Sequence, residues 1–270
     1  MPHIPKEEIA VLAKRLAAIC DDIMNQIRTQ PLTGLARQFL VGQLRRQAEL
    51  LKSIALLLET NHLKDQMGTF MLFRGLMDDF IFLMRYQMQN FDIEVLNKHT
   101  GKAIKHELDM IDDSRKINNH FFNGGEEGLA TDAYYTQKAN EYILDPATDD
   151  FYQDKGQRRL KNFPRDSEFI REISAEHLSE YQQEIVKANA HSLILWHIFS
   201  KYIHYSHYTF RLHDLEVRKI EIDQLKEALW YCYKSILLIS RGLNLAGMPN
   251  QFNDFNNSLQ TDLVGSIDEP

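Results

Sequence analysis

Apolar residues in this chain recur at three- and four-residue spacing, and each such stretch is longer than ten residues. Residues that far apart share one face of a helix, whereas a strand would alternate every second residue. Residues 5–29 carry Ile9, Leu12, Leu16 and Ile19 on one stripe. Glu7 and Glu8 suit the positive N-terminal end, and Gln30-Pro31 ends the pattern. Residues 32–62 repeat it through Leu35, Phe39, Leu40, Leu44, Leu51, Ile54 and Leu58. Residues 65–89 are apolar on most faces, which predicts a central helix. Residues 92–121 are far more charged, and an outer position is expected for them. Further helices are expected over 131–144, 188–213 and 214–241, the last stopping at Arg241-Gly242. Another stripe resumes near Asp166 or Ser167. No strand is expected. The fold class is therefore all-α, an up-and-down helical bundle of about seven helices with an irregular insertion.

Twelve Gly and seven Pro argue against a loop-rich β-sandwich, and 44% apolar with 26% charged residues is enough for a sizeable core. The expected organisation is a single helical-bundle domain over 1–242 with the insertion at 122–166, followed by an acidic, mostly irregular tail over 243–270. The insertion opens on the turn cluster Asn123-Gly124-Gly125 and holds a basic group, Arg158, Arg159, Lys161 and Arg165. A solvated loop is the plain reading of that group, and phosphate or RNA contact is the other. The longest apolar run is six residues, Ala228 to Tyr233, too short to span a bilayer. The N-terminus lacks the pattern of a signal peptide, and two cysteines, Cys20 and Cys232, fit a reducing cytoplasm. A net charge of −7 gives RNA no general attraction. The expected partner is a second copy of the chain or another protein, with no membrane and no cofactor.

The candidate site lies on the helix expected over 188–213. Projected at 100° per residue, His197, Ser200, His204, His207 and Arg211 share an arc of ~80°. Their flanks are apolar: Ile194, Leu195, Ile198, Phe199, Tyr202 and Phe210. A solvated stripe would normally be Lys and Glu. One of His, Ser and Arg suits contact with another polar group, since imidazole can donate, accept or titrate near neutral pH. The apolar helix over 65–89 carries a matching set: Arg74 and Asp78 at i and i+4, Asp79 beside them and Arg85 further along. Charges on a buried helix need partners. The two helices are therefore expected to be neighbours, with Arg74, Asp78, Ser200 and His204 face to face. The plain outcome is a buried network that sets register.

Three chemistries fit these residue types. A metal site would draw on His197, His204 and His207, with Glu59-x-x-His62 at the carboxylate–imidazole spacing of di-iron bundles. The second such pair is absent from the sequence, and no metal is expected. A nucleophilic set of Ser200, His204 and Asp78 lacks the exposed elbow that acyl transfer needs. A metal-independent ribonuclease needs His as acid or base and Arg on the phosphate.

Two segments carry a resemblance. Phe73-Arg74-Gly75-Leu76-Met77-Asp78-Asp79 resembles the Arg-x-x-x-acid signature of an uncharacterised all-helical bacterial domain family. Ser200 with Tyr202-Ile203-His204-Tyr205-Ser206 resembles the later Ser-x-x-x-His signature of that family. Phe163-Pro164-Arg165 and Ile170-Arg171-Glu172-Ile173 stand where the family has a Pro and an Arg-Glu-Ile segment. This resemblance implies a helical fold and no established activity. The histidine segment is also distantly similar to the motif of the HEPN helical domains, many of which are RNA-cleaving toxins or phage-defence effectors. That similarity implies His204 as general acid or base, Arg74 or Arg211 on the phosphate, and Asp78 orienting. Phe199 occupies the position at which the HEPN motif has Arg. Literal matches to the motif at Arg115…His120 and Arg171…His177 are about as many as chance supplies. Catalysis and non-catalytic interaction or sensing both remain open on the sequence, each using Arg74, Asp78, Ser200, His204, His207 and Arg211.

Overall fold

A computed structural model describes residues 6–28, 33–60, 67–122, 130–156, 159–161, 178–203 and 218–245. Among them are eight α-helices: α1 (Lys6–Ile27), α2 (Leu35–Thr60), α3 (Met67–Met88), α4 (Ile93–Phe121), α5 (Asp132–Ile143), α6 (Glu180–Ala188), α7 (Ala190–Ile203) and α8 (Arg218–Gly242). A 3-10 helix over Pro146–Phe151 and two short strands, β1 (Tyr152–Asp154) and β2 (Arg159–Leu160), complete the set. The chain is all-α in class. The strands are a departure from the all-helical expectation, and they pair antiparallel as a minimal hairpin.

The chain divides into two compact units, one of residues 1–91 and 178–270, the other of residues 92–177. In the first, α1 packs on α2, and α3 packs against α2, α7 and α8. This apolar helix also meets α6, so four of the described helices cover it, as its apolar circumference requires. Helix directions follow from the contacts. Lys14 pairs with Glu59 and Lys52 with Asp21, so α1 and α2 run antiparallel. Along the α2–α3 seam, a Cβ on Gly68 would meet Leu57, one on Gly75 would meet Leu50, and Arg46 reaches Asp79. Contacts step down one helix as they step up the other, so this pair is antiparallel too. The core of the unit includes Phe70, Phe73 and Phe80 from α3, Phe199 from α7, and Leu229, Cys232 and Ile236 from α8.

The expected stop at Gly242 has a different physical basis. Gly242 is still helical, and a Cβ there would lie 2.7 Å from Leu40 Cδ1, so the residue serves close approach of α8 to α2. The left-handed turn that ends α8 falls on Asn244, at φ 53°, and the Leu245 amide donates back to the Ser240 carbonyl.

The second unit has its own apolar core of Ile104, Leu108, Ala139, Ile143, Phe151 and Tyr152. It begins at Asp92, which caps α4 by accepting from the Glu94 amide, and so takes in α4 as well as the stretch expected to be an insertion. Thr131 caps α5. The Arg115 guanidinium grips Asp132 with two hydrogen bonds of 2.5 and 2.6 Å and ties α4 to the start of α5. Thr148 Oγ1 bonds the carbonyls of Tyr142 and Asp145, which folds the chain back after α5. Within the stretch from 122, α5 matches the helix expected over 131–144, and the 3-10 helix and hairpin between Pro146 and Leu160 are ordered elements where irregular chain is expected. The helix start near Asp166 and the tail after 245 lie outside the described residues.

Candidate functional site

Within residues 74–79 of α3, Arg74, Asp78 and Asp79 project charged groups from a largely apolar rod. Arg74 and Asp78 are one turn apart and form an ion pair. Arg74 Nε donates to Ser200 Oγ on α7 at 2.7 Å, and Ser200 Oγ donates to the Trp196 carbonyl at 2.6 Å. The Arg74 guanidinium also lies over the Trp196 ring, 4.1 Å from its centre. The indole N–H of Trp196 donates to Asp78 Oδ1 at 2.8 Å, which closes a ring of four residues, the Ser200–Trp196 link running through the Trp196 carbonyl. Arg74 contacts Ser200 while Asp78 contacts Trp196, so α3 and α7 run antiparallel. Phe199 stacks against Phe70 and Phe73 on the apolar side of the same seam.

The expected neighbourhood of α3 and the later helix is thus present, and Arg74, Asp78 and Ser200 meet. Arg74 is sunk, with 13% of its side chain exposed, while Asp78 is 44% exposed at the rim. His204, His207 and Arg211 lie outside the described residues. His197 is exposed and sets its ring edge against Trp196. His191 is exposed as well and meets Glu227 on α8 at 3.1 Å. The helix expected to start at 188 starts at Ala190, after a break at Asn189 that separates it from α6. Ser179 caps α6 in a reciprocal box with Gln182, α6 ends at Ala188, and the Ser192 hydroxyl and amide both bond the Asn189 carbonyl.

Asp79 is not part of the α7 cluster. One residue turns a helix by about 100°, so Asp79 faces a different neighbour from Asp78. It is 5% exposed and pairs with Arg46 Nε of α2 at 3.2 Å, while Arg46 itself is 53% exposed. Burial pushes the Asp79 carboxyl up to about 7, against the opposing pull of Arg46 and with added repulsion from Asp78. Gly75 lies under this reach. A Cβ there would be 3.5 Å from Arg46 Nη2 and 3.3 Å from Leu50 Cδ1, so the bare backbone forms the floor under the guanidinium.

Two residues of this site escape a reading by residue type. Trp196 precedes Ser200 by one turn, and that spacing is the signal that places it beside Arg74. Arg46 has no comparable signal, because Arg37, Arg45 and Arg46 all lie on α2 and only the packed seam selects among them.

Among the described residues, no three of His, Cys, Asp and Glu gather as metal ligands. Glu59 is bonded to Lys14, and His62 lies outside the description. Of the literal Arg…His matches, Arg115 is held by Asp132 in the second unit, and Arg171 and His177 lie outside the described residues. Arg159 and Lys161 of the basic group are exposed. No helix among the described residues is long and apolar enough to cross a membrane. Comparison with family models, with curated proteins and with solved structures returns no significant match.

Proposed function

We propose that this protein is a non-catalytic helical interaction or sensor protein, and that the Arg74 cluster is a structural lock between α3 and α7. The observation that carries this reading is the closure of the cluster. Arg74 spends its Nε on Ser200, its charge on Asp78 and its planar face on Trp196, and Trp196 returns a hydrogen bond to Asp78. A guanidinium poised for a phosphate would instead aim donors at the space the phosphate fills. Arg is suited to the lock because its flat group stacks and bonds at once, which Lys cannot do.

The test is incubation of the purified full-length protein with total RNA, beside His204→Ala. This reading expects intact RNA with both proteins. Cleavage by the wild type that disappears in His204→Ala would contradict it and favour a ribonuclease using His204 with Arg74 or Arg211.

A further inference from the structure

We propose that Arg46 and Asp79 form a proton-operated latch between α2 and α3: ionised Asp79 holds the Arg46 guanidinium across Gly75, and protonated Asp79 lets it go to solvent. The latch stands apart from the functional reading above and holds whether or not the protein is catalytic.

The asymmetry of the pair is the reason. Asp79 is sealed inside the α2–α3–α8 packing, whereas half of the Arg46 side chain is already in water. Losing the pair therefore costs Arg46 little, because solvent takes over its hydrogen bonds. For Asp79 the alternative to pairing is neutrality, because an unpaired buried carboxylate is costly. The groups around it reinforce that choice. On its own helix Asp78 adds a second negative charge next in sequence. From α2 the charged group is Arg46, and Gln47 beside it is buried and uncharged. From α8 the nearby ionisable group is Cys232, whose thiol is pushed well up by burial and so stays neutral. Helix α7 meets this turn of α3 through Trp196 and Ser200, which are uncharged, and both engage the Arg74–Asp78 side. One half-exposed guanidinium thus opposes burial and a like charge. The neighbouring Arg74–Asp78 pair has a different balance, since Asp78 is open to water and has Trp196 as a further donor.

The experiment is an NMR titration of the full chain from pH 5.5 to 8.5, following the Asp79 carboxyl carbon and the Arg46 Nε–H group. The expected result is a midpoint near 7 for Asp79, with the Arg46 signals moving along the same curve. Asp79→Asn should leave the Arg46 signals flat over that range. Arg46→Gln, which keeps a polar group on the seam, should raise the proton affinity of Asp79 about tenfold, one unit of midpoint. The proposal is overturned if Asp79 titrates in the ordinary carboxylate range, or if Arg46 ignores the Asp79 transition. An Asp79 midpoint unmoved in Arg46→Gln also overturns it, even where Asp79→Asn fails to fold.

Discussion

Asp79 and Trp196 are the residues whose replacement says most. Because the Asp79 carboxyl is raised in the folded state to about 7 from its ordinary 3.8, the folded protein binds more protons than the unfolded chain between those values. Its contribution is therefore fully present below 3.8, is lost as pH rises toward 7, and is flat above. The contribution is on the order of 4 kcal/mol. Asp79→Asn should remove that slope and raise stability at pH 8, measured by urea unfolding at several pH values. An unchanged slope would show that Asp79 is not the titrating group. Trp196→Phe keeps an aromatic face under Arg74 but deletes the N–H that bonds Asp78. It should cost about 1 kcal/mol, the worth of one hydrogen bond, in the same unfolding measurement. Cys20 and Cys232 are buried, and burial pushes both thiols up, so neither should react with a thiol reagent until the protein unfolds.

At the scale of elements, α3 is the organising piece, and its two adjacent acids serve different neighbours. Asp78 faces α7 and Asp79 faces α2. Gly75 supports the second contact, which makes its side-chain size a direct test. Gly75→Ala gains helix propensity of about 1 kcal/mol but places a methyl against Leu50 Cδ1 at 3.3 Å, so the net change should be small. Gly75→Leu should displace Arg46, destabilise the fold and raise the Asp79 midpoint, all read from one pH series of unfolding curves. Most of this architecture was legible in the sequence. The 3.6-residue period located α1 to α5 and α8 to within a few residues, because an apolar stripe must face a core. The need of Arg74 and Asp78 for partners correctly paired α3 with the helix bearing Ser200. Asp79 was harder, since its partner lies on a third helix and an i, i+4 rule cannot reach across a seam.

At the scale of the whole chain, the units of residues 1–91 with 178–270 and of residues 92–177 each have a core. Beyond α5 the sequence suggested irregular chain, because the stretch from Asp145 to Pro164 carries many charges and few large aliphatics. Its order comes instead from aromatic residues, Phe151 and Tyr152, packing with Ala139 of α5 on Ile104 and Leu108 of α4. Phe151→Ala should therefore cost about 3–5 kcal/mol locally, seen as lost hydrogen-exchange protection along α5 and the middle of α4. A guanidinium laid on an indole fastens the α3–α7 seam. A double-mutant cycle of Arg74→Ala, Trp196→Ala and the pair, read by chemical unfolding, tests it most directly. The predicted result is a coupling of about 1–2 kcal/mol between the two substitutions. Strictly additive losses would contradict the lock.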